Sequence, residues 1–490
     1  MLVQLMNLSA RVVSATDTER DWLKSFLSFS DESKRFFRAG GKIRRRAESK
    51  SSLYSLVTDS FPAGLLSMVR RAAVDEGLVV DIVDKRTRPA LTPMPADTLG
   101  WLHDYQRDGV AKCLQRTRGI LWLPTGSGKT EIAVGLALVV QHRWLFLVNE
   151  ADLMHNAARR FEKRTGESAG RIGDSEFSIE RFTAATFQSI ASALKEPKYN
   201  ASDRVREKHR AVTQLMLDVE GMIVDEVHTL PADSFYNVAA SAPNAYYRIG
   251  MSGTPLARGD KRSLYSIAAT GELIFQIKPE ALMLAGHISR PTIRMVPVVQ
   301  VGAAKTYQGA YSELIVRSTK RTNAVVELAK RVAKPGLVFV KEIKHGQRLT
   351  KKLRDAGLRV EFVWGNTSTG QRDDAIRRLR WGDLDVIVCS VVFQTGTDIP
   401  ELRGIVIACG GKSAIAALQR IGRGMRATET KSEFEVFDVL DRDGRDEHGR
   451  PSATKWMAAH SKARQKAYVG EGYSVRVMDE LAGQIALRDS

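Results

Sequence analysis

Apolar residues along the middle of this chain fall into short unbroken runs separated by longer amphipathic stretches. The runs Gly119–Leu123, Trp144–Val148, Phe182–Ala185, Met222–Asp225 and Tyr247–Met251 do not alternate with polar residues. Such runs read as strands covered on both faces. Between them lie stretches of helical periodicity, such as Glu131–Val140. Alternation of this kind predicts a parallel sheet with helical crossovers over residues 96–285. The pattern returns over residues 286–440, with strands expected at Gly336–Val340, Arg359–Val363, Asp385–Cys389, Gly404–Ala408 and Phe434–Val439. The two halves share no obvious sequence repeat. The expected class is α/β, with two tandem parallel-sheet domains.

The flanks read differently. Residues 1–95 predict a small separate α/β domain. Strands are expected at Val3–Ala10, Ala10–Ser14, Leu53–Val57 and Leu78–Val83, and helices at Glu19–Ser28 and Ala63–Glu76. Arg86-Thr87-Arg88-Pro89, followed by Pro93 and Pro95, reads as a linker. The polar segment Lys195–Arg210 reads as a surface insertion or a charged helix start. Residues 441–490 predict a helical tail, amphipathic around Trp456–Tyr468 and strand-like at Ser474–Met478.

Composition narrows the class. The 490 residues give a length prior of about three domains. With 43% hydrophobic and 27% charged residues, the chain is of ordinary globular make-up. No apolar run approaches the ~20 residues of a membrane span, and no signal peptide is visible at the N-terminus. A net charge of +18 argues for a polyanionic partner, nucleic acid first. The run Lys42-Ile43-Arg44-Arg45-Arg46, near Arg35 and Arg38, either touches phosphates or forms a solvated face. Cys113, Cys389 and Cys409 have no metal-ligand spacing, so free thiols in a reducing, cytoplasmic compartment are expected, with no structural zinc.

Three segments carry chemistry. Leu123-Pro124-Thr125-Gly126-Ser127-Gly128-Lys129-Thr130 joins a strand to a helix. Its glycines let backbone N–H groups close around phosphate oxygens, and the helix N-terminus adds its positive end. Lys129 reaches for the β- and γ-phosphates, and Thr130 for magnesium. The general pattern places glycine where this chain has Leu123. Further on, Gly221-Met222-Ile223-Val224-Asp225-Glu226-Val227-His228 reads as a buried strand ending in two carboxylates. Asp225 is placed to hold Mg2+, and Glu226 to deprotonate an attacking water. His228 is a candidate link between the γ-phosphate and the neighbouring lobe. In the second half, Gln419-Arg420-Ile421-Gly422-Arg423-Gly424-Met425-Arg426 sets two arginines three apart on one helix face. A guanidinium fork suits a developing γ-phosphate charge. Arg423 and Arg426 are therefore arginine-finger candidates, contributed by the second lobe.

Over residues 100–440 the chain resembles the superfamily 2 helicases and translocases. Further motifs follow in family order. Tyr105-Gln106 resembles the glutamine element that reads adenine. Leu145–Leu153 with Phe161, and Thr186-Phe187-Gln188-Ser189, resemble segments that touch the nucleic-acid backbone. Ser252-Gly253-Thr254-Pro255 resembles the element linking hydrolysis to strand movement. Thr395-Gly396-Thr397-Asp398-Ile399-Pro400 resembles the one in which Gly396 and Asp398 approach the nucleotide. Asp225-Glu226-Val227-His228 argues against the RNA-helicase branch, while the compact N-terminal unit, the start Tyr105-Gln106-Arg107-Asp108-Gly109-Val110 and the tail Ala459–Tyr468 are most similar to UvsW-type phage helicases and the related XPB group.

The resemblance implies two RecA-like lobes and an ATP hydrolase acting on DNA. Lys129, Asp225, Glu226, Arg423 and Arg426 would be catalytic. Tyr105, Gln106, Thr125, Gly126, Ser127, Gly128, Lys129, Thr130, Gly396, Asp398 and Gln419 would bind ATP, and Thr130 and Asp225 would bind Mg2+. The finer resemblance implies remodelling of branched DNA: fork regression, junction branch migration, removal of RNA–DNA hybrid. It also implies the host cytoplasm if the chain is phage-encoded. Alternatives are the motor subunit of a restriction-type system, an RNA helicase, and a non-catalytic DNA-annealing scaffold.

Overall fold

The unbroken apolar runs become the inner strands of two parallel sheets in the computed structural model of the chain. The structure describes residues 1–30, 36–39, 42–45, 50–91, 95, 97–229, 233–253, 263–390, 399, 401–411, 417, 420–422, 424–425 and 433–478. One unit comprises Met1–Leu123 and Gly128–Gln276, the other Pro124–Ser127 and Ile277–Ser490.

In the first unit an eight-stranded sheet has the order Glu176–Phe177, Gly170–Gly173, Phe182–Thr186, Trp144–Val148, Gly221–Val224, Tyr247–Ser252, Arg118–Trp122, Leu273–Gln276. All neighbours run parallel except the first pair. Every residue of Trp144–Val148, Phe182–Thr186, Gly221–Val224 and Tyr247–Ser252 is buried, which is why these segments carry no alternation. Leu145, Leu147, Met222 and Val224 pack with Phe187 and Val212 from the covering helices. Burying each such side chain contributes ~1.5–3 kcal/mol. The polar segment at 195–210 resolves as a loop and the start of helix Asp203–Asp218. That helix buries Val212, Leu215 and Met216 in its second half only.

Because these strands are parallel, their carboxyl ends share one edge. The strand order therefore carries the loop after Trp122, the carboxylates after Val224 and the turn after Ser252 to the same side of the sheet.

Ahead of this sheet a four-stranded one has the order Ser60–Pro62, Ser9–Ser14, Leu2–Leu5, Asp81–Asp84. Helix Asp17–Phe26 begins at Thr16, whose side chain accepts the Glu19 N–H while Glu19 accepts the Thr16 N–H. Helix Leu66–Asp75 buries Leu66, Val69 and Ala73. The core of this module, built around Val3, Leu23, Phe61 and Val69, includes Ala268 of the following sheet's helix Ser263–Thr270. Gly64 lies so near that helix that a Cβ there would fall 2.0 Å from the Ile267 carbonyl oxygen. Arg71 forks onto Glu272, and the Arg118 guanidinium donates to the Asn7 carbonyl at 2.6 Å. Two expectations are corrected here. Val3–Ala10 is a short strand followed by a turn, closed by Met6 N–H donating to the Ser9 carbonyl. Leu53–Val57 forms no strand: Tyr54 enters the core while Val57 is exposed in a turn.

The second unit holds a seven-stranded, fully parallel sheet. Its order is Val360–Val363, Val386–Cys389, Gly336–Phe339, Gly404–Ile407, Glu433–Asp443, Arg290–Gln300, Ser474–Val477. Arg290–Gln300 has no counterpart in the sequence reading, since Pro291 and Pro297 argue against an inner strand. Pro297 is accommodated because the pairing with Ser474–Val477 ends at Met295. Helix Trp456–Gly470 packs on Glu433–Asp443, so residues 456–477 build into this sheet. The three cysteines are buried and form no disulfide. Among the described residues no helix is long and apolar enough to cross a membrane.

Candidate nucleotide site

The phosphate-loop candidate owes its shape to two glycines. Gly126 and Gly128 take φ of +88° and +78°, a region closed to most side chains. A Cβ on Gly128 would also lie 2.4 Å from Gln106 Nε2. Gly128 stands at the N-cap of helix Lys129–Val139, and no side chain caps that helix. No capping side chain competes at this end, and the positive end of the helix dipole favours an anion there. Leu123, the departure from the general pattern, is fully buried, and its N–H donates to the Ser252 carbonyl at 2.9 Å. It serves as a core residue that ties the loop's root to the neighbouring strand. The first helical turn is held from outside: Glu131 accepts from Arg160 at 2.6 Å and Arg164 at 3.1 Å. Arg164 in turn stacks 4.4 Å over Trp101. The sequence reading missed this clamp; Glu131 beside Lys129-Thr130 was its only local signal.

Gly128→Ala is expected to strain the loop by about 1–2 kcal/mol and so weaken nucleotide binding roughly tenfold. Titration with a fluorescent ATP analogue reads this directly. Unchanged affinity in a folded variant would refute the role given to this backbone.

Lys129 Nζ lies 3.4 Å from Glu226 Oε1. Glu226 sits at φ +49°, unusual for a side-chain-bearing residue, and its N–H donates to Asp225 Oδ1 at 3.0 Å. Glu226 Oε2 is buried with no hydrogen bond, although His228 Nδ1 is 3.3 Å away. His228 Nδ1 also lies 3.0 Å from Ser252 Oγ, joining the carboxylate turn to the end of the adjacent strand.

Burial and the neighbouring Glu226 charge push Asp225 up to about 6, with Lys129 opposing. Burial would raise Glu226 as well. Lys129 and His228 outweigh it, and Glu226 is held below its ordinary range. His228 is lowered by burial, against the pull of Glu226. The cluster therefore has a surplus of buried carboxylate relative to its single lysine, the condition a divalent cation relieves. The available donors, the Thr130 hydroxyl and the Asp225 carboxylate, are hard oxygens suited to Mg2+, whose remaining ligands are usually water and phosphate. Among the described residues no group of three or more His, Cys, Asp or Glu has metal-holding geometry.

The remaining candidates fare differently. Gln106 is buried and bonded within its own helix start: its Oε1 accepts the His103 N–H at 3.0 Å, and its Nε2 donates to the Tyr105 hydroxyl at 3.3 Å. Phe161 is a fully buried core residue stacked 4.5 Å from Phe182. Thr186 caps helix Phe187–Ala193, accepting from Ser189 N–H, with Phe187 buried and Gln188 exposed. Thr125, Gly126, Ser127 and Thr130 lie on the loop and helix start as expected. Gly396, Asp398, Gln419, Arg423 and Arg426, with Thr254 and Pro255, fall outside the described residues.

Residues 100–257 match the family described as type III restriction enzyme, res subunit, and residues 320–428 match the helicase conserved C-terminal domain. The chain is 26% identical over 347 residues to putative helicase 22 of Sulfolobus islandicus filamentous virus, covering 66% of this chain and 60% of that protein. It is 26% identical over 358 residues to the ATP-dependent DNA helicase uvsW of Enterobacteria phage T4, covering 70% of this chain and 69% of that one. The match thus spans less than two thirds of the filamentous-virus protein's length. Among solved structures, the ATP-dependent type ISP restriction-modification enzyme LlaBIII bound to DNA shares the fold over 83% of this chain and 34% of its own, at 14% identity and a TM-score of 0.57. With both helicase domains in order on two tandem RecA-like sheets, the chain belongs to the superfamily 2 helicases and translocases, a family of ATP-hydrolysing enzymes.

Proposed function

We propose that this chain is an ATP-driven motor that remodels branched DNA. The observation that carries the chemistry is the Lys129–Glu226–Asp225 cluster beside a loop shaped by Gly126 and Gly128. Lys129 pairs with Glu226. Transfer of that ammonium to the β- and γ-phosphates would leave Glu226 a free base, positioned by the Gly253 N–H to take a proton from the attacking water. Thr130 and Asp225 would hold Mg2+, which when bound offsets phosphate charge. Tyr105 and Gln106 shape the site's flank against Gly128, and Arg423 and Arg426 supply positive charge to the transferring phosphoryl group. Gly396, Asp398 and Gln419 are read as further nucleotide contacts.

In this reading residues 96–285 form the ATP-binding lobe, 286–440 the second lobe, 441–490 its tail, and 1–95 a module gripping duplex or a junction arm. The branched-DNA assignment draws on the uvsW likeness and on the net charge of +18. The restriction-family description of residues 100–257 favours a second reading, a duplex translocase serving a nuclease partner.

Steady-state ATPase separates them, measured without nucleic acid and with single strands, duplex, a four-way junction, an RNA–DNA hybrid or RNA. Strongest stimulation by the junction is expected, falling steeply with salt because contacts are to phosphates. Equal stimulation by plain duplex would favour the translocase, and selective stimulation by RNA would overturn the DNA reading.

A further inference from the structure

The polar segment Lys195–Arg210 carries the most exposed large hydrophobic side chain among the described residues, Tyr199 at 99%. Its ring stands in solvent, yet the backbone beneath it is held. Ala201 N–H donates to the Lys198 carbonyl at 2.9 Å, closing a turn over Tyr199 and Asn200. Arg206, in the first turn of helix Asp203–Asp218, donates Nη2 to the Tyr199 carbonyl and Nε to the Ala201 carbonyl at 3.3 Å. Pro197 stiffens the approach to the turn. Charge around the ring is one-sided. Lys195, Lys198 and Arg204 are exposed, and the segment holds six lysines and arginines against three carboxylates. Of those carboxylates, Glu196 lies 3.4 Å from His209 Nε2.

Topology gives this turn its place. Helix Asp203–Asp218 leads at once into strand Gly221–Val224, so it descends toward the strands' amino ends and begins near their carboxyl edge. That edge also bears Lys129. Lys208 Nζ, 5.0 Å over the Phe177 ring, puts the helix start beside the outermost strand, Glu176–Phe177. Tyr199 thus shares a sheet and an edge with Lys129 but lies toward the opposite side. An aromatic face on a fixed turn between lysines matches an unpaired base: the ring stacks, and the ammonium groups take the flanking phosphates. Bases within a duplex are stacked on each other and offer no free face. We infer that Tyr199 is a stacking contact for single-stranded DNA, with Lys195 and Lys198 on its phosphates. This rests on the DNA-motor reading above and adds to it a residue that tells unpaired strand from duplex.

The test measures binding of the full-length chain to labelled oligothymidine and to a dumbbell duplex without free ends, by fluorescence anisotropy over a range of salt. Tyr199→Ala is expected to weaken oligothymidine binding about tenfold and duplex binding by less than about twofold, and Tyr199→Trp to restore the single strand. Lys195→Gln combined with Lys198→Gln should flatten the slope of log affinity against log salt for oligothymidine by about 1.4, two phosphate contacts at ~0.7 each. Melting temperature should not move in any of these variants, since the altered side chains are exposed. Unchanged oligothymidine binding by Tyr199→Ala overturns the inference and leaves the ring to a protein partner. An equal loss on strand and duplex overturns it too, as does failure of Tyr199→Trp to restore binding. If the unaltered chain binds neither DNA, the motor reading itself fails. If the unaltered chain binds both and Tyr199→Ala matches it, this inference alone falls.

Discussion

Glu226→Gln is expected to retain ATP while losing turnover by about 10²–10⁴-fold, the range that general-base catalysis supplies. The amide matches the carboxylate in size, so the turn after strand Gly221–Val224 and the hydrogen bond from Glu226 N–H to Asp225 survive. What disappears is the proton acceptor. Removing one of two adjacent buried charges also relieves Asp225, whose carboxyl the Glu226 charge helps to push up to about 6. The variant should therefore be at least as stable as the parent. Single-turnover hydrolysis, alongside equilibrium binding of the nucleotide, separates the two effects. Hydrolysis at the parental rate would remove Glu226 from the chemistry.

Lys129→Ala should act in the opposite sense on stability and in the same sense on turnover. Loss of the ammonium removes the nearest cation from two buried carboxylates. Burial then dominates both, and the pair should hold a proton nearer neutral pH. Sign matters here. A carboxylate raised by burial destabilises the fold above its unfolded-state pKa, so the variant should lose stability as pH rises from acid toward neutral. Hydrolysis should fall by at least ~10²–10³-fold, as for loss of one preorganised donor to a developing charge. DNA binding, carried by other parts of the chain, should largely remain. Melting temperature against pH and ATPase rate together test this, and unchanged turnover would overthrow the assignment of the loop.

What could be read in the sequence follows from where burial is two-sided. Trp144–Val148 and Gly221–Val224 are covered on both faces, so composition alone marks them. Edge and irregular strands carry no such mark. Leu273–Gln276 is half-exposed, Gly170–Gly173 is short and glycine-bounded, and Arg290–Gln300 contains two prolines. Leu53–Val57 shows the converse, an apolar run spent on a turn and one core tyrosine. At the site, residue types at fixed spacing were enough to bring Lys129 and Glu226 together, because the loop and the carboxylate turn both follow parallel strands. Spacing could not give Phe161 its core position, which depends on Phe182, nor the anchoring of Arg464, which depends on Asp438, 26 residues earlier. A signal was present: Asp438 interrupts and Asp441 ends the apolar run that begins at Val436, and buried carboxylates need partners.

The core that Ala268 shares with Val3, Leu23 and Phe61 has a mechanical meaning. A module joined to a lobe by a tether has play, and part of each stroke is lost in taking it up. Here the joint is close-packed, with Gly64 against the Ile267 carbonyl leaving no room for even a methyl group. On the proposed function, whatever residues 1–95 grip would be driven without backlash by the lobe that carries Lys129. Cutting the module away would uncover that lobe's own interior.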